Sequence, residues 1–137
     1  MARISGPLLD RIDIQIELPS LTFEEMASAT PTESSAQIRE RVVKARAFAA
    51  ERMGKDAARI PNNAMLEAGD IRKFCALSDD AKALLKAAFE RLGLSARGYD
   101  RLLRVARTVA DLSGNEIITD MNIAEAIQFR QLDKKYF

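Results

Sequence analysis

The sequence contains no histidine, no tryptophan and a single cysteine, Cys75. Without histidine, the chain has no Ser-His-Asp or Cys-His catalytic arrangement, no histidine-ligated zinc site and no histidine-based pH switch. One cysteine excludes an intrachain disulfide and a thiolate metal cluster, and its apolar neighbours predict a buried structural thiol. These absences leave few catalytic groups, and we predict no metal site.

Long hydrophobic runs and a strong net charge are absent as well. No apolar stretch approaches the roughly 18–20 residues that span a membrane, and no signal peptide begins the chain. The 21 Lys and Arg residues nearly balance the 20 Asp and Glu residues, for a net charge of +1. That balance argues against a dedicated nucleic-acid-binding domain. We therefore expect a cytoplasmic protein with no membrane partner, and 137 residues suffice for one domain.

One segment has the alternation of a β-strand. Residues 12–18 read Ile-Asp-Ile-Gln-Ile-Glu-Leu, and Pro19 follows them. Alternating apolar and polar residues with β-branched side chains predict a strand. No other segment predicts one, and a lone strand cannot form a sheet. Its partners must therefore come from another chain or from sequence outside this one, which indicates a fragment.

The sequence of the remaining residues predicts helices. A short turn is expected at residues 23–26, and a capping box of Ser34 and Gln37 begins a helix that runs to about residue 53. Its apolar stripe comprises Ile38, Val42, Ala45 and Ala49. Short helices are expected around residues 64–68 and 70–76, separated by Gly69.

Three further helices follow, each with a predicted N-cap at Ser78, Ser95 or Thr119. We expect the first to end at Gly93, the second at Gly114 and the third near residue 131. The predicted fold is therefore mainly α, a small helical bundle preceded by one orphan β-strand.

A nucleotide-hydrolysing loop is not recognisable. A Walker A motif needs Gly-x4-Gly-Lys-Ser/Thr, whereas Gly54-Lys55 is followed by Asp56 and Ala49 stands where the first glycine belongs. No apolar run ending in paired acidic residues supplies a Walker B motif. We therefore expect no ATP hydrolysis by this chain alone.

Two arginines stand out. Arg11 follows a Gly-Pro loop immediately before the predicted strand, and its guanidinium suits phosphate oxygens. The simpler interpretation is a surface ion pair of Arg11 with Asp10 or Asp13. Arg97 lies in the first turn after Ser95, where free backbone N–H groups favour an anion.

Arg97 also begins a stripe with Arg101 and Arg104 at helical spacing. The simpler interpretation of that stripe is a solvated helix face. Leu102, Ala106, Val109 and Ala110 would form the buried face of the same helix.

Together these segments resemble the C-terminal part of the magnesium-chelatase-like AAA+ ATPases, and in particular the bacterial ComM (YifB) group. Residues 4–13 look like the arginine-finger motif of that family, and residues 94–112 look like its sensor 2 helix. Residues 125–130 look like its closing helix. The resemblance extends over essentially the whole chain.

The resemblance implies a domain organisation and two catalytic residues. Residues 1–20 would be the end of the AAA+ core, with the finger loop and last strand, and residues 21–137 would be the helical lid. Arg11 would reach the γ-phosphate of ATP bound to a neighbouring subunit and stabilise charge in the transition state. Arg97 would be the sensor 2 residue, binding the cofactor phosphates and coupling nucleotide state to lid position, on its own or on the adjacent subunit.

Cofactors and partners are implied in the same way. ATP and Mg²⁺ would be cofactors of the longer protein only, and none is expected for this chain alone. The partners would be the upstream AAA+ core, the neighbouring subunits of a ring that is commonly a hexamer, and DNA through the longer protein.

We therefore predict a non-catalytic C-terminal lid of a ring-forming ATPase that acts in DNA processing. One alternative is a stand-alone helical nucleic-acid-binding domain, although nearby acidic residues weaken it. It would use the stripe of Arg97, Arg101 and Arg104 together with the cations Arg39, Arg41, Lys44 and Arg46. A second alternative is a longer protein that acts as the ATPase subunit of a metal chelatase.

Overall fold

The computed structural model describes residue 8 and residues 11–28 and 32–130. Within these residues six α-helices follow one another: α1 Phe23–Ala27, α2 Ser35–Met53, α3 Ala68–Phe74, α4 Asp79–Leu92, α5 Ala96–Leu112 and α6 Asp120–Gln128. Short 3-10 turns lie at Gly54–Asp56 and Asn63–Met65. The predicted mainly α, small helical fold is confirmed.

Side-chain caps begin the helices where the sequence predicts them. The hydroxyls of Ser34, Ser78, Ser95 and Thr119 each accept a hydrogen bond from a backbone N–H in the first turn of the helix that follows. Each cap satisfies a donor that would otherwise have no partner within the helix. Gly93 ends α4 with a left-handed backbone (φ 61°), a conformation that favours glycine.

Helix α5 lies at the centre of the bundle. It packs against α6, the end of α2, the Asn63–Met65 turn and α3, and α4 packs on α6. The buried apolar face of α5 comprises Leu102, Leu103, Ala106, Val109 and Ala110, which confirms the predicted face. The other core side chains are Met53, Ile60, Leu66, Ile71, Phe74, Cys75, Ala81, Leu85, Ile118, Ile123 and Ala126.

A backbone bridge ties the start of α4 to the start of α6. The N–H of Ser78 donates to the carbonyl of Ile118 (3.0 Å), and the N–H of Ile118 donates to the carbonyl of Ala76 (2.9 Å). The bridge leaves Ile118 fully buried. It holds the two helix starts in register, so α4, α5 and α6 form one packed unit.

The predicted strand at residues 12–18 is not formed. The structure assigns no strand to this segment, and the apolar side chains of its alternation face solvent: Ile14 is 50% exposed, Ile16 63% and Leu18 84%. The side chain that is buried instead is Gln15. The physical reason is that a strand requires a ladder partner, and the described part of the chain offers none.

Three smaller predictions differ from the structure. Gly69 does not separate two helices but lies inside α3, after a 3-10 turn rather than a helix. Ile38 and Val42 of the predicted apolar stripe are exposed, because the first part of α2 extends beyond the core and only Met53 of this helix is buried. Helix α6 ends at Gln128, and the predicted end near residue 131 lies outside the described residues.

No helix within the described ranges is both long enough and apolar enough to cross a membrane.

Candidate functional site

Arg11 lies at the start of a segment without regular secondary structure, residues 11–18, which we call the finger segment. Its backbone N–H donates to the carbonyl of Leu8 (3.0 Å), and its side chain is exposed. The guanidinium makes no ion pair or hydrogen bond with the described residues. The rest of the predicted finger motif, residues 4–7, 9 and 10, lies outside the described residues.

Among the contacts that attach the finger segment to the bundle are a backbone hydrogen bond and an ion pair. The backbone N–H of Gln15 donates to the carbonyl of Phe129 at the end of α6 (2.8 Å). The carboxylate of Asp13 forms an ion pair with Arg101 of α5, with 3.4 Å between Oδ1 and Nη1. Asp13 therefore pairs with Arg101 rather than with Arg11. We call these two contacts the anchor contacts.

Arg97 is in the first turn of α5, as predicted. The hydroxyl of Ser95 accepts the backbone N–H of Gly98 (3.0 Å), which fixes the helix start. The Arg97 side chain is exposed and makes no ion pair or hydrogen bond with the described residues. It projects from a helix N-terminus, where backbone N–H groups and the helix dipole favour an anion.

The predicted arginine stripe is not a uniformly solvated face. Arg104 Nε donates to the carbonyl of Leu66 (2.9 Å), and Arg101 is engaged by Asp13. Both are half-buried, whereas Arg97 is exposed. Arg97 is one helical turn from Arg101, and Arg11 is two residues from Asp13. The structure therefore places both predicted site residues a few residues from one ion pair.

A buried polar cluster toward the C-terminal end of α5 was not predicted from the sequence. Arg107 is fully buried, and its Nε donates to Asp111 Oδ1 (3.1 Å). Its Nη1 donates to the carbonyl of Glu116 (2.7 Å), and its Nη2 donates to the carbonyl of Asn115. One guanidinium thus fixes the loop between α5 and α6.

Asp111 joins that cluster to the end of α2. Arg52 forms an ion pair with Asp111 and donates from Nη2 to Asn63 Oδ1 (3.0 Å). Asn63 Nδ2 in turn donates to Asp111 Oδ2 (2.7 Å) and to Thr108 Oγ1 (3.1 Å). Three segments of the chain therefore meet at one carboxylate: the end of α2, the Asn63–Met65 turn and α5.

The cluster carries two guanidinium groups around one carboxylate. Burial lowers the pKa of Arg107, and the charge of Asp111 opposes that effect. An ion pair this deeply buried depends on complete hydrogen bonding. In the sequence, this cluster is indicated only by an Arg and an Asp four residues apart on one helix. Their burial depends on packing against other segments, which the spacing does not predict.

Cys75 is buried, as predicted from its apolar neighbours. Burial raises the pKa of its thiol to about 11, so the reactive thiolate is scarce near neutral pH. Within the described ranges, no group of three or more Cys, Asp or Glu side chains is placed to hold a metal ion.

An open groove of about 500 Å³ lies between α4 and the first turns of α5. Phe89 and Tyr99 meet edge to face on its wall, with 6.1 Å between ring centroids. Lys82, Lys86 and Asp100 also line it. The groove adjoins the turn that carries Arg97.

Comparison with known proteins identifies the chain. The family described as magnesium chelatase, subunit ChlI C-terminal, matches residues 32–130. Competence protein ComM of Haemophilus influenzae is 41% identical over 131 residues, which cover 95% of this chain and 25% of ComM. The uncharacterized protein YifB of Escherichia coli K12 is 40% identical over 134 residues, which cover 96% of this chain and 25% of YifB.

The chain spans about a quarter of the length of these curated relatives. The family match begins at residue 32 and includes every helix from α2 to α6, and the similarity to the relatives extends over nearly the whole chain. The chain therefore belongs to the magnesium chelatase subunit ChlI C-terminal family, as the C-terminal lid region of a magnesium-chelatase-like AAA+ protein of the ComM and YifB group.

Proposed function

We propose that this lid supplies two arginines to ATP hydrolysis in a ring-forming AAA+ protein. Arg11 acts as an arginine finger on ATP bound to the neighbouring subunit, and Arg97 acts as the sensor 2 residue. The observation that supports this most is the exposure of both guanidinium groups without partners among the described residues. Within the described part of the chain, neither guanidinium has an ion pair that a phosphate would have to displace.

The chemistry follows from the charge on the transferred phosphoryl group. Negative charge spreads over its oxygens in the transition state, and a guanidinium aimed at them stabilises that state more than the ground state. Arg11 would do this across a subunit boundary, and Arg97 would hold the phosphates from a helix N-terminus. Mg²⁺ bound with the nucleotide in the longer protein would neutralise charge between the phosphates.

Exposed apolar side chains on this chain support an upstream AAA+ core as its partner. The apolar side chains of the finger segment are exposed, and so are Ile38, Val42 and Val43 on the first part of α2. Exposed apolar side chains at these two places favour contacts with a partner. We propose that the core of the longer protein covers it and provides the ladder partners of residues 12–18.

DNA processing by the longer protein is part of the same proposal. The Haemophilus influenzae relative is named a competence protein, and we extend that role to the longer protein with DNA as its substrate. The 137-residue chain has a net charge of +1, so we place the main DNA contact outside it.

A stand-alone nucleic-acid-binding domain receives less support. Arg101 and Arg104 of the stripe are engaged by Asp13 and by the carbonyl of Leu66. On α2, Arg41 pairs with Glu33 and Lys44 pairs with Glu40. Four of the seven cations on these two faces are therefore already engaged. The chelatase alternative is supported by the family description alone. No motif that we recognise in the sequence indicates a tetrapyrrole-binding site.

The deciding experiment is Arg11→Ala in the full-length protein. We expect turnover to fall by about 10³-fold or more, with ATP binding retained, because the guanidinium acts in the transition state. The matched control is Arg72→Ala, an exposed arginine of α3 that should leave turnover unchanged. Near-normal turnover of Arg11→Ala would overturn the proposal.

Mixing variants tests whether Arg11 acts on a neighbour. Arg11→Ala subunits keep an intact nucleotide site, and Walker A variants keep an intact Arg11. If the finger acts across the boundary, mixed rings regain part of the turnover that neither variant has alone. No recovery in rings shown to be mixed would place Arg11 in its own subunit's site.

A further inference from the structure

We propose that the Asp13–Arg101 ion pair couples the finger segment to helix α5, so that Arg101 is a positioning residue for Arg11. This inference rests on the proposed function of Arg11 and Arg97 and adds a physical connection between them. Arg97 and Arg101 lie one turn apart on the same helix, and Asp13 lies two residues after Arg11. A displacement of α5 that moves Arg97 therefore also moves the segment that carries Arg11.

The anchor contacts join the segment to a rigid support. Arg101 belongs to α5, and Phe129 follows the last residue of α6. These helices share the core through fully buried side chains, among them Leu102, Ala106 and Ile123. Because packed interiors deform little, α5 and α6 move together, and both anchors move with them.

Apolar packing contributes little to holding the segment. Its apolar side chains are exposed, and the side chain it buries is that of Gln15. Polar contacts therefore hold the segment on the bundle. The Gln15 bond uses backbone groups and so depends little on side chains, whereas the Asp13–Arg101 pair depends on two side chains. The ion pair is consequently a contact through which the sequence can control the position of Arg11.

Distances along the chain make the coupling direct. Two residues of non-helical chain span at most about 7 Å, and one helical turn rises about 5.4 Å. No flexible linker lies between Arg11 and its anchor, or between Arg97 and Arg101. A shift of α5 by a given amount thus moves the anchor of the finger by a similar amount.

The strength of the pair suits a contact that adjusts during a cycle. The Asp13 side chain is 51% exposed and that of Arg101 is 19% exposed. A partly exposed ion pair of this kind changes an equilibrium by about fivefold or less. It can favour one position of the finger segment without locking it there.

Amide exchange on the 137-residue chain tests the attachment without any reference to ATP. We measure hydrogen–deuterium exchange at the Gln15 amide in Arg101→Ala, in Asp13→Ala and in the reversed pair Asp13→Arg with Arg101→Asp. We expect each single variant to speed exchange about two- to fivefold and the reversed pair to restore it. Lys86→Ala, an exposed cation of α4, is the matched control. Unchanged exchange in both single variants would overturn the attachment.

Turnover of the full-length protein tests the positioning. We expect Arg101→Ala and Asp13→Ala to lower kcat severalfold, with the KM for ATP and the Tm unchanged, and the reversed pair to recover kcat. A purely structural role would lower Tm with kcat, and that result would contradict the inference. So would wild-type kcat in both single variants.

The two proposals fail in different ways. Normal turnover of Arg11→Ala would remove the finger role, whereas the exchange measurement would still decide whether Asp13 and Arg101 hold the segment. If Arg11→Ala abolishes turnover while the Asp13 and Arg101 variants behave as wild type in both measurements, the finger stands and the coupling is wrong.

Discussion

Residues 53–130 and residues 11–50 differ in what their apolar side chains contact. In the first region they enclose one another around α5, and several are fully buried, Ala81, Ala106 and Ile118 among them. In the second region Leu18 is 84% exposed and Phe23 is 80% exposed. The same kinds of side chain are present in both. Composition therefore says little about burial, and the presence of an opposing surface within the chain decides it.

The two regions also treat charge differently. The bundle buries Arg107 and Asp111 completely and satisfies them with backbone carbonyls and amide groups. Residues 11–50 keep their charges at the surface, in pairs such as Lys44 with Glu40. A buried charge stabilises only the arrangement that satisfies it, whereas a surface pair tolerates movement. The arrangement of the bundle is consequently fixed by its own buried contacts, and residues 11–50 can adapt to a partner.

We expect the largest loss of stability for Asp111→Ala. The variant leaves Arg52 and Arg107 without their shared carboxylate in a buried site, so we expect a loss of about 3–5 kcal/mol in the free energy of unfolding. Urea titration of the 137-residue chain measures it. Arg39→Ala, an exposed arginine of α2, should change stability by less than about 0.5 kcal/mol. A loss below about 1 kcal/mol for Asp111→Ala would mean that the cluster is not essential to the bundle.

Truncation of apolar side chains compares the two regions directly. Leu102 is buried on α5, and Val42 is exposed on α2. We expect Leu102→Ala to cost about 2–5 kcal/mol, because it removes buried methyl groups and leaves a cavity. Val42→Ala should cost at most about 0.5 kcal/mol. Similar costs at both positions would show that the first part of α2 is buried in solution, for instance in a dimer, and sizing of the same samples would reveal it.

Local signals in the sequence were sufficient for most of the helical fold. The caps at Ser34, Ser78, Ser95 and Thr119 and the stop at Gly93 act through neighbours in sequence, so each was predictable from a few residues. The buried face of α5 followed from its helical period.

Features that depend on distant residues were not predictable in the same way. The alternation of residues 12–18 predicts a strand only if a ladder partner exists. The burial of Arg107 depends on Asn115 and Glu116, whose backbone carbonyls accept hydrogen bonds from its guanidinium. The exposure of Arg11 and Arg97 agrees with the resemblance to the family, but the roles that we propose for them depend on partners outside this chain.

Deletion of residues 1–20 tests whether the finger segment belongs to the folding unit of the bundle. The deletion removes both anchor contacts and no member of the buried apolar core. We expect the helical part to keep one cooperative thermal transition, with a loss of about 1–2 kcal/mol for one hydrogen bond and one partly exposed ion pair. Circular dichroism and calorimetry measure it. Loss of cooperativity would show that the finger segment belongs to the folding unit of the bundle.

The smallest expected effect concerns the edge of the bundle near α3. Arg59 Nη2 donates to Asp70 Oδ1 (2.7 Å), and this hydrogen bond holds the pKa of Asp70 below its usual value, with help from the backbone N–H of Glu67. A lowered folded-state pKa adds stability that is present above the unfolded pKa of about 4 and is lost as pH falls through the folded value. The charge of Asp70 therefore stabilises the fold at pH 7 and contributes progressively less below about pH 4.

Asp70→Asn tests this charge while keeping an oxygen that can accept the N–H of Glu67. We expect a small decrease in Tm at pH 7, limited by the exposure of Arg59, and a smaller difference from wild type at about pH 3. Glu90→Gln, an exposed carboxylate of α4, is the matched control and should show no such pH dependence. An equal difference at both pH values would assign the effect to packing of the side chain and not to its charge. A difference that grows toward acid would contradict the lowered pKa itself.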